Sequence, residues 1–187
     1  AVRVIDTPTS AEITSYNFSP DSRFVTYSKA SLNGLSAIWI YSLDNNEAFQ
    51  LTGDEFSDYS PVFSLDGEYL YFLSNRDFNL TFSDFEFNYL YNRSTRMYVL
   101  HLTNDSPRLY EPKETLEPVG EQEKQNNTNG DVHVRIEREG VDQRIVAIPR
   151  PAGTYRNLQA VRDGFLYITN TGLRRYNVKD ESDQSIM

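Results

Sequence analysis

The chain has no cysteine, only two histidines and a single tryptophan in 187 residues. The missing cysteine excludes disulfides, thiolate nucleophiles and thiolate zinc sites. His101 and His133 both sit inside strand-like runs (VLHLT and VHVRI), where a histidine packs or lines a rim. A catalytic triad also needs a positioned nucleophile and an orienting acid, and no such set is spaced along the chain. No ligand-spaced motif calls for a metal, and no cofactor is expected. Carboxylate pairs such as Asp54/Glu55 and Glu121/Glu123 fall in acidic stretches where solvation is their ordinary role. Basic residues number 18 against 27 acidic ones, for a net charge of −9. That balance argues against nucleic acid, which needs clustered Lys and Arg, and against an anionic membrane surface. No stretch approaches the roughly 18 apolar residues of a membrane span. The opening AVRVIDTPTS lacks an apolar signal core and reads as the middle of a chain under way. A periplasmic and a cytoplasmic prokaryotic setting both stay open.

What is abundant is aromatic: 13 Tyr and 11 Phe. Aromatic and β-branched residues suit a pleated, half-buried surface, so the bias points to strands. Tyr16-Asn-Phe-Ser-Pro-Asp-Ser-Arg-Phe-Val-Thr-Tyr-Ser28 matches Pro61-Val-Phe-Ser-Leu-Asp-Gly-Glu-Tyr-Leu-Tyr-Phe-Leu-Ser74, with Asp21 falling on Asp66. The offset, 66 − 21 = 45, is the period of a four-stranded propeller blade. Within each copy one strand ends at Phe18 or Phe63, a Ser-x-Asp turn follows, and strands resume over 23–28 or 69–74. Residues 37–43 and 97–102 supply the third strands, and residues 47–52 close the first unit. A blade cannot bury both faces alone, so it must stack on neighbours.

The second copy carries a long insertion between residues 74 and 97, with Phe78, Phe82, Phe85, Phe87, Tyr89 and Tyr91. These six are candidate partner-binding residues, because exposed aromatic patches are uncommon without a partner. Packing of a long connection onto the blade is the other reading. No aromatic occurs from residue 111 to 154, and 111–130 reads as a solvated acidic loop. Strand chemistry resumes at 132–137, which pairs with 143–148 around Gly140. A further hairpin spans 155–161 and 164–169, one more strand covers 173–178, and the tail from 179 stops without completing a unit. The expectation is an all-β chain: one incomplete β-propeller of four-stranded antiparallel blades. Approximate blades span 1–52, 53–112, 113–160 and, partially, 161–187.

The Ser-Pro-Asp core resembles the repeats of TolB-like, WD40-like propellers. Four ordered segments are similar to tricorn-type peptidases: Thr52-Gly-Asp-Glu-Phe-Ser-Asp-Tyr-Ser-Pro-Val-Phe-Ser64, Tyr71-Phe-Leu-Ser-Asn-Arg-Asp-Phe78, Phe85-Glu-Phe-Asn-Tyr89 and Arg144-Ile-Val-Ala-Ile-Pro149. Gly153-Thr-Tyr155 and Gly164-Phe-Leu-Tyr167 continue the series. The resemblance implies two propellers ahead of a PDZ domain and an S41-type serine peptidase core. It further implies that the propeller nearer the peptidase controls entry of oligopeptides. Ser22 and Leu65 replace the Gly and Pro usual in the turn, and nothing here matches the peptidase segments. No catalytic residue therefore carries over, and the chain itself is expected not to be an enzyme. Expected partners are a peptide or protein and the remaining blades and peptidase domains of a parent chain, with self-association of the open arc. A TolB-like interaction module without a peptidase, and a small-ligand or glycan-binding propeller, are the alternative readings.

Overall fold

Both copies of the repeat fold into the same turn. In the computed structural model, which describes residues 2–77, 80–83, 88–91, 95–110 and 132–187, the Ser19 hydroxyl donates to Asp21 Oδ1 at 2.6 Å and accepts the amide hydrogen of Phe24 at 2.9 Å. Ser64 does the same to Asp66, at 2.5 Å, and from Tyr69, at 2.9 Å. Ser22 and Gly67 take the equivalent left-handed corner, with φ of 59° and 76°. Glycine is required at the second corner for another reason. A Cβ there would stand 2.9 Å from both Val132 Cγ1 and Val134 Cγ2.

These turns join the first two strands of two four-stranded antiparallel sheets. The first sheet runs β1 (Thr14–Phe18), β2 (Phe24–Ala30), β3 (Ser36–Ser42), β4 (Glu47–Gln50), in that order. The second begins with β5 (Asp58–Phe63) and β6 (Tyr69–Ser74). The chain then makes a separate two-stranded hairpin, β7 (Leu80–Ser83) and β8 (Asn88–Tyr91). It returns as β9 (Arg96–His101), and the fourth place is filled by β10 (Ile145–Ala147). The third sheet is β11 (Arg156–Val161), β12 (Gly164–Thr169), β13 (Gly172–Asn177) and β14 (Asp183–Ser185). Among the described residues the only helical turn is a 3₁₀ turn at Val141–Arg144. The chain is all-β, as expected, and a partial propeller.

The second sheet is the middle layer, and its sequence shows why. Successive strand side chains point to opposite faces. Tyr69, Tyr71 and Leu73 of β6, with Met97 and Val99 of β9, pack on Phe165, Tyr167 and Tyr176 of the third sheet. Leu70 and Phe72, with Tyr98 and Leu100, pack on Ile38 and Ile40 of the first. Hence β6 reads as an unbroken apolar run, and each fully buried side chain of this kind contributes about 1.5–3 kcal/mol. The interface with the third sheet is largely aromatic: Tyr71 and Phe165 ring centroids stand 4.9 Å apart across it, and Phe165 and Tyr176, both of the third sheet, are 5.6 Å apart.

The outer face of the first sheet is partly covered by the chain's own beginning. Asp6 accepts hydrogen bonds from the Tyr27 hydroxyl at 2.6 Å and from Lys29 Nζ at 2.8 Å. Ile13 packs with Val25, Tyr27 and Tyr41 on the same face.

Three expectations need correction. Residues 132–137 are not a strand. Val134 donates its amide hydrogen to Asp21 Oδ2 at 2.8 Å and Glu137 donates to the Leu102 carbonyl at 2.9 Å, so this segment laces the turn ends of the first two sheets together. Its alternating apolar residues suggested a strand because Val134 is buried in the core between those sheets. Residues 145–147 therefore pair with β9, not with 132–137. The unit drawn over 113–160 is accordingly divided: β10 belongs to the second sheet and β11 to the third. The tail does complete a unit, because β14 pairs with β13. This polar strand is held by Asp183, whose side chain is 5 % exposed and bridges Arg174 and Arg150 at 2.9 and 2.5 Å.

Candidate functional site

The first strand, in chain order, of each four-stranded sheet carries the same irregularity. In β1, Thr14 pairs with Ser28 and Asn17 with Thr26, which leaves two residues, Ser15 and Tyr16, against one, Tyr27. In β5 the pairs are Tyr59 with Leu73 and Val62 with Tyr71. In β11 they are Arg156 with Ile168 and Gln159 with Leu166. Each strand therefore holds a β-bulge, an extra residue that bends it and leaves backbone groups unpaired. Immediately inside each bulge stands a small polar residue at positive φ: Ser15 at 55°, Ser60 at 53° and Asn157 at 53°. Such dihedrals are uncommon for residues other than glycine, and Asn tolerates them best.

The three bulges converge. β5 lies beside both β1 and β11, and Asn17 Oδ1 accepts the amide hydrogen of Phe63 at 3.1 Å across the first of these junctions. Ser15, Tyr16, Ser60, Pro61, Val62, Asn157 and Leu158 line one hollow of 210 Å³. Val62 and Leu158 are buried and form an apolar floor, whereas Tyr16 is 75 % exposed at the rim. No lining residue is charged, in a chain of net charge −9.

Two residues upstream of Ser60, Asp58 is 1 % exposed and pairs with Arg76 at 2.7 Å. Burial pushes the Asp58 carboxyl above its ordinary range, and the Arg76 charge offsets only part of that. The Arg76 guanidinium lies over the Phe56, Phe72 and Tyr98 rings at 5.3, 5.5 and 5.1 Å. This cluster anchors the chain where it leaves β6 for the β7–β8 hairpin.

Of the six aromatics singled out in that insertion, Phe78, Phe85 and Phe87 lie outside the described residues. Phe82 stands opposite Tyr89 in the hairpin register, and Tyr91 stands opposite Leu80. The histidines do not meet in a site. His101 is fully buried, its Nδ1 3.0 Å from the Arg144 carbonyl and its Nε2 accepting the amide hydrogen of Leu109 at 3.0 Å. That arrangement assigns the proton to Nδ1 and occupies both nitrogens. His133 is an exposed neighbour of Arg23, at 2.9 Å. Among the described residues no group of three or more His, Asp or Glu side chains is placed to hold a metal ion, and no helix is long and apolar enough to cross a membrane. Sequence reading missed the bulges, although Ser15 and Ser60 are themselves 45 residues apart (60 − 15). A small polar residue one step inside the first strand of a repeat was the available signal.

The whole chain, residues 1–187, matches the family model described as the tricorn protease second beta propeller domain. The chain belongs to that family. Among curated relatives, this tricorn propeller domain is 29 % identical over 186 residues to "Tricorn protease homolog 1" of Streptomyces coelicolor, covering 96 % of this chain and 17 % of the relative. It is 27 % identical over 175 residues to "Tricorn protease" of Thermoplasma volcanium, covering 88 % and 15 %. The domain thus spans less than a fifth of either relative. In fold it is similar to the crystal structure of the tricorn protease, with a TM-score of 0.72 at 21 % identity, covering 97 % of this chain and 19 % of that one. Putative TolB from Agrobacterium tumefaciens shares the fold at a TM-score of 0.58 and 12 % identity, over 99 % of this chain and 52 % of that one.

Proposed function

We propose that this propeller segment guides oligopeptides toward a serine peptidase core carried elsewhere in its parent chain, and breaks no bond itself. The observation that carries the reading is the convergence of three bulged first strands on one uncharged hollow beside exposed aromatic residues. Tyr16 and Phe18, 75 % and 56 % exposed, lie along β1. They are the kind of surface on which an extended chain slides without being held by charge. The aromatic insertion, Phe78, Phe82, Phe85, Phe87, Tyr89 and Tyr91, is proposed as the peptide's first contact. Membership in a tricorn propeller family supports the association with proteolysis.

The test uses the parent protein. A cysteine replacing Tyr16 is labelled with a bulky maleimide, with native parent treated identically as control. Hydrolysis of a decapeptide is then compared with that of a short fluorogenic amide. The reading predicts that labelling slows the decapeptide far more than the amide. Equal effects on both substrates, or none, reject it.

A further inference from the structure

The hollow at the three bulges has the dimensions and chemistry of a receptor for a single residue. Its 210 Å³ falls below the roughly 300–1,000 Å³ of a pocket for a drug-sized ligand, which suits one side chain and is too little for a length of peptide. Its floor is Val62 and Leu158, both buried. Its rim is polar but uncharged: the Ser15 and Ser60 hydroxyls, the Asn157 amide and the exposed Tyr16 ring. None of the Ser15, Ser60 and Asn157 side chains has a hydrogen-bond partner among the described residues. Each bulge also leaves the extra residue's main chain outside the sheet ladder. Three equally registered bulges at positive φ, on one hollow, set small polar side chains and main chain outside the ladder register at fixed positions around an apolar floor.

We infer that this hollow is a subsite for one uncharged aliphatic or aromatic residue of an extended peptide. The peptide's own amide groups bond to the main chain freed at the bulges around Ser15, Ser60 and Asn157. Apolar pockets with a few placed polar groups are the ordinary form of such sites, and main-chain pairing is the ordinary way an extended peptide is held. Absence of charge in the lining makes an ionised side chain a poor occupant, because nothing there replaces its hydration. The inference rests on the peptide-guiding reading and adds a location and a residue preference.

The experiment is an amide-shift titration of the 187-residue chain by NMR, with capped Ala-Leu-Ala, Ala-Asp-Ala and Ala-Lys-Ala tripeptides as probes. The Leu peptide is expected to shift amides within residues 14–17, 59–62 and 156–159, and the two charged peptides to leave them in place. Tyr16→Ala should weaken the Leu peptide about fivefold. Ser15→Asp keeps a residue type that accepts positive φ, and should weaken it at least as much. Both variants change exposed positions, and unaltered spectra elsewhere verify their fold. Shifts confined to residues 80–91, equal binding of the three peptides, absence of binding, or variants that bind as the native chain does would each overturn the subsite. Peptide guiding is judged separately, by the length dependence of the parent, so the two can fail independently.

Discussion

The Asp21 carboxylate accepts the amide hydrogen of Val134, 113 residues further along, at 2.8 Å. Its other oxygen caps the local turn, through Ser19 and the amide of Arg23. Burial pushes the Asp21 carboxyl up, but these hydrogen bonds outweigh it and hold the group below its ordinary range. Among the described residues Asp66, its counterpart in the repeat, caps only its own turn. One repeated residue thus has two different duties, and the difference is measurable. Asp21→Ala should cost about 1 kcal/mol more than Asp66→Ala, the net worth of one further hydrogen bond. Urea denaturation of the two variants checks this, and equal losses would show that the 132–137 segment is not tied through Asp21.

Arg144 is the second tie. It is 1 % exposed, and its guanidinium donates to the carbonyls of His101 and Glu137, both at 2.5 Å, and of Glu139 at 3.0 Å. Arg144→Met keeps the volume but leaves these acceptors without their donor, at about 3 kcal/mol in total. Arg144→Lys should rescue little of that, because an ammonium on a flexible stem cannot reproduce the planar fork. Thermal unfolding of both variants is the measurement.

Asp6 gives the domain an acid-sensitive contact. Burial raises its carboxyl, yet the hydrogen bonds from Lys29 and Tyr27 prevail and hold it below the ordinary range. An Asp in the unfolded chain titrates at about 3.9. With the folded value below that, the contact's contribution is fully present above the unfolded value and is lost as pH falls through the folded one. Asp6→Asn should lower stability at pH 7 by about 1–2 kcal/mol and shrink the loss between pH 5 and about pH 2. Hydrogen exchange on β2, compared at the two extremes, reads the change directly.

The isolated chain should hydrolyse neither peptides nor esters. His101 has both nitrogens engaged in the core, and His133 is exposed beside Arg23. Turnover of fluorogenic substrates that disappears on changing either histidine would contradict this.

Much of the fold was legible because it is local. Period-2 alternation located β2, β3, β6 and β9 to within a residue or two, and the Ser-x-Asp turns fixed the offset of the first two sheets. What escaped was pairing between distant segments. β10 joins β9 across more than forty residues, and β14 is three polar residues whose place is set by Asp183 between two arginines. Neither leaves a periodic trace. The third bulge was hidden for the same reason. Asn157 lies 157 − 60 = 97 residues after Ser60, so insertions break the 45-residue rhythm that links Ser15 to Ser60. The hollow becomes visible only once the three strands stand side by side.

The most direct test of peptide guiding is photo-cross-linking in the parent protein with its peptidase inhibited. A decapeptide bearing a photoreactive side chain is irradiated and the adducts are mapped by mass spectrometry. Adducts are expected on β1, β5 and β11, within residues 14–18, 58–63 and 156–161. Adducts confined to β4, β10 and β14, or none on this domain at all, would contradict it.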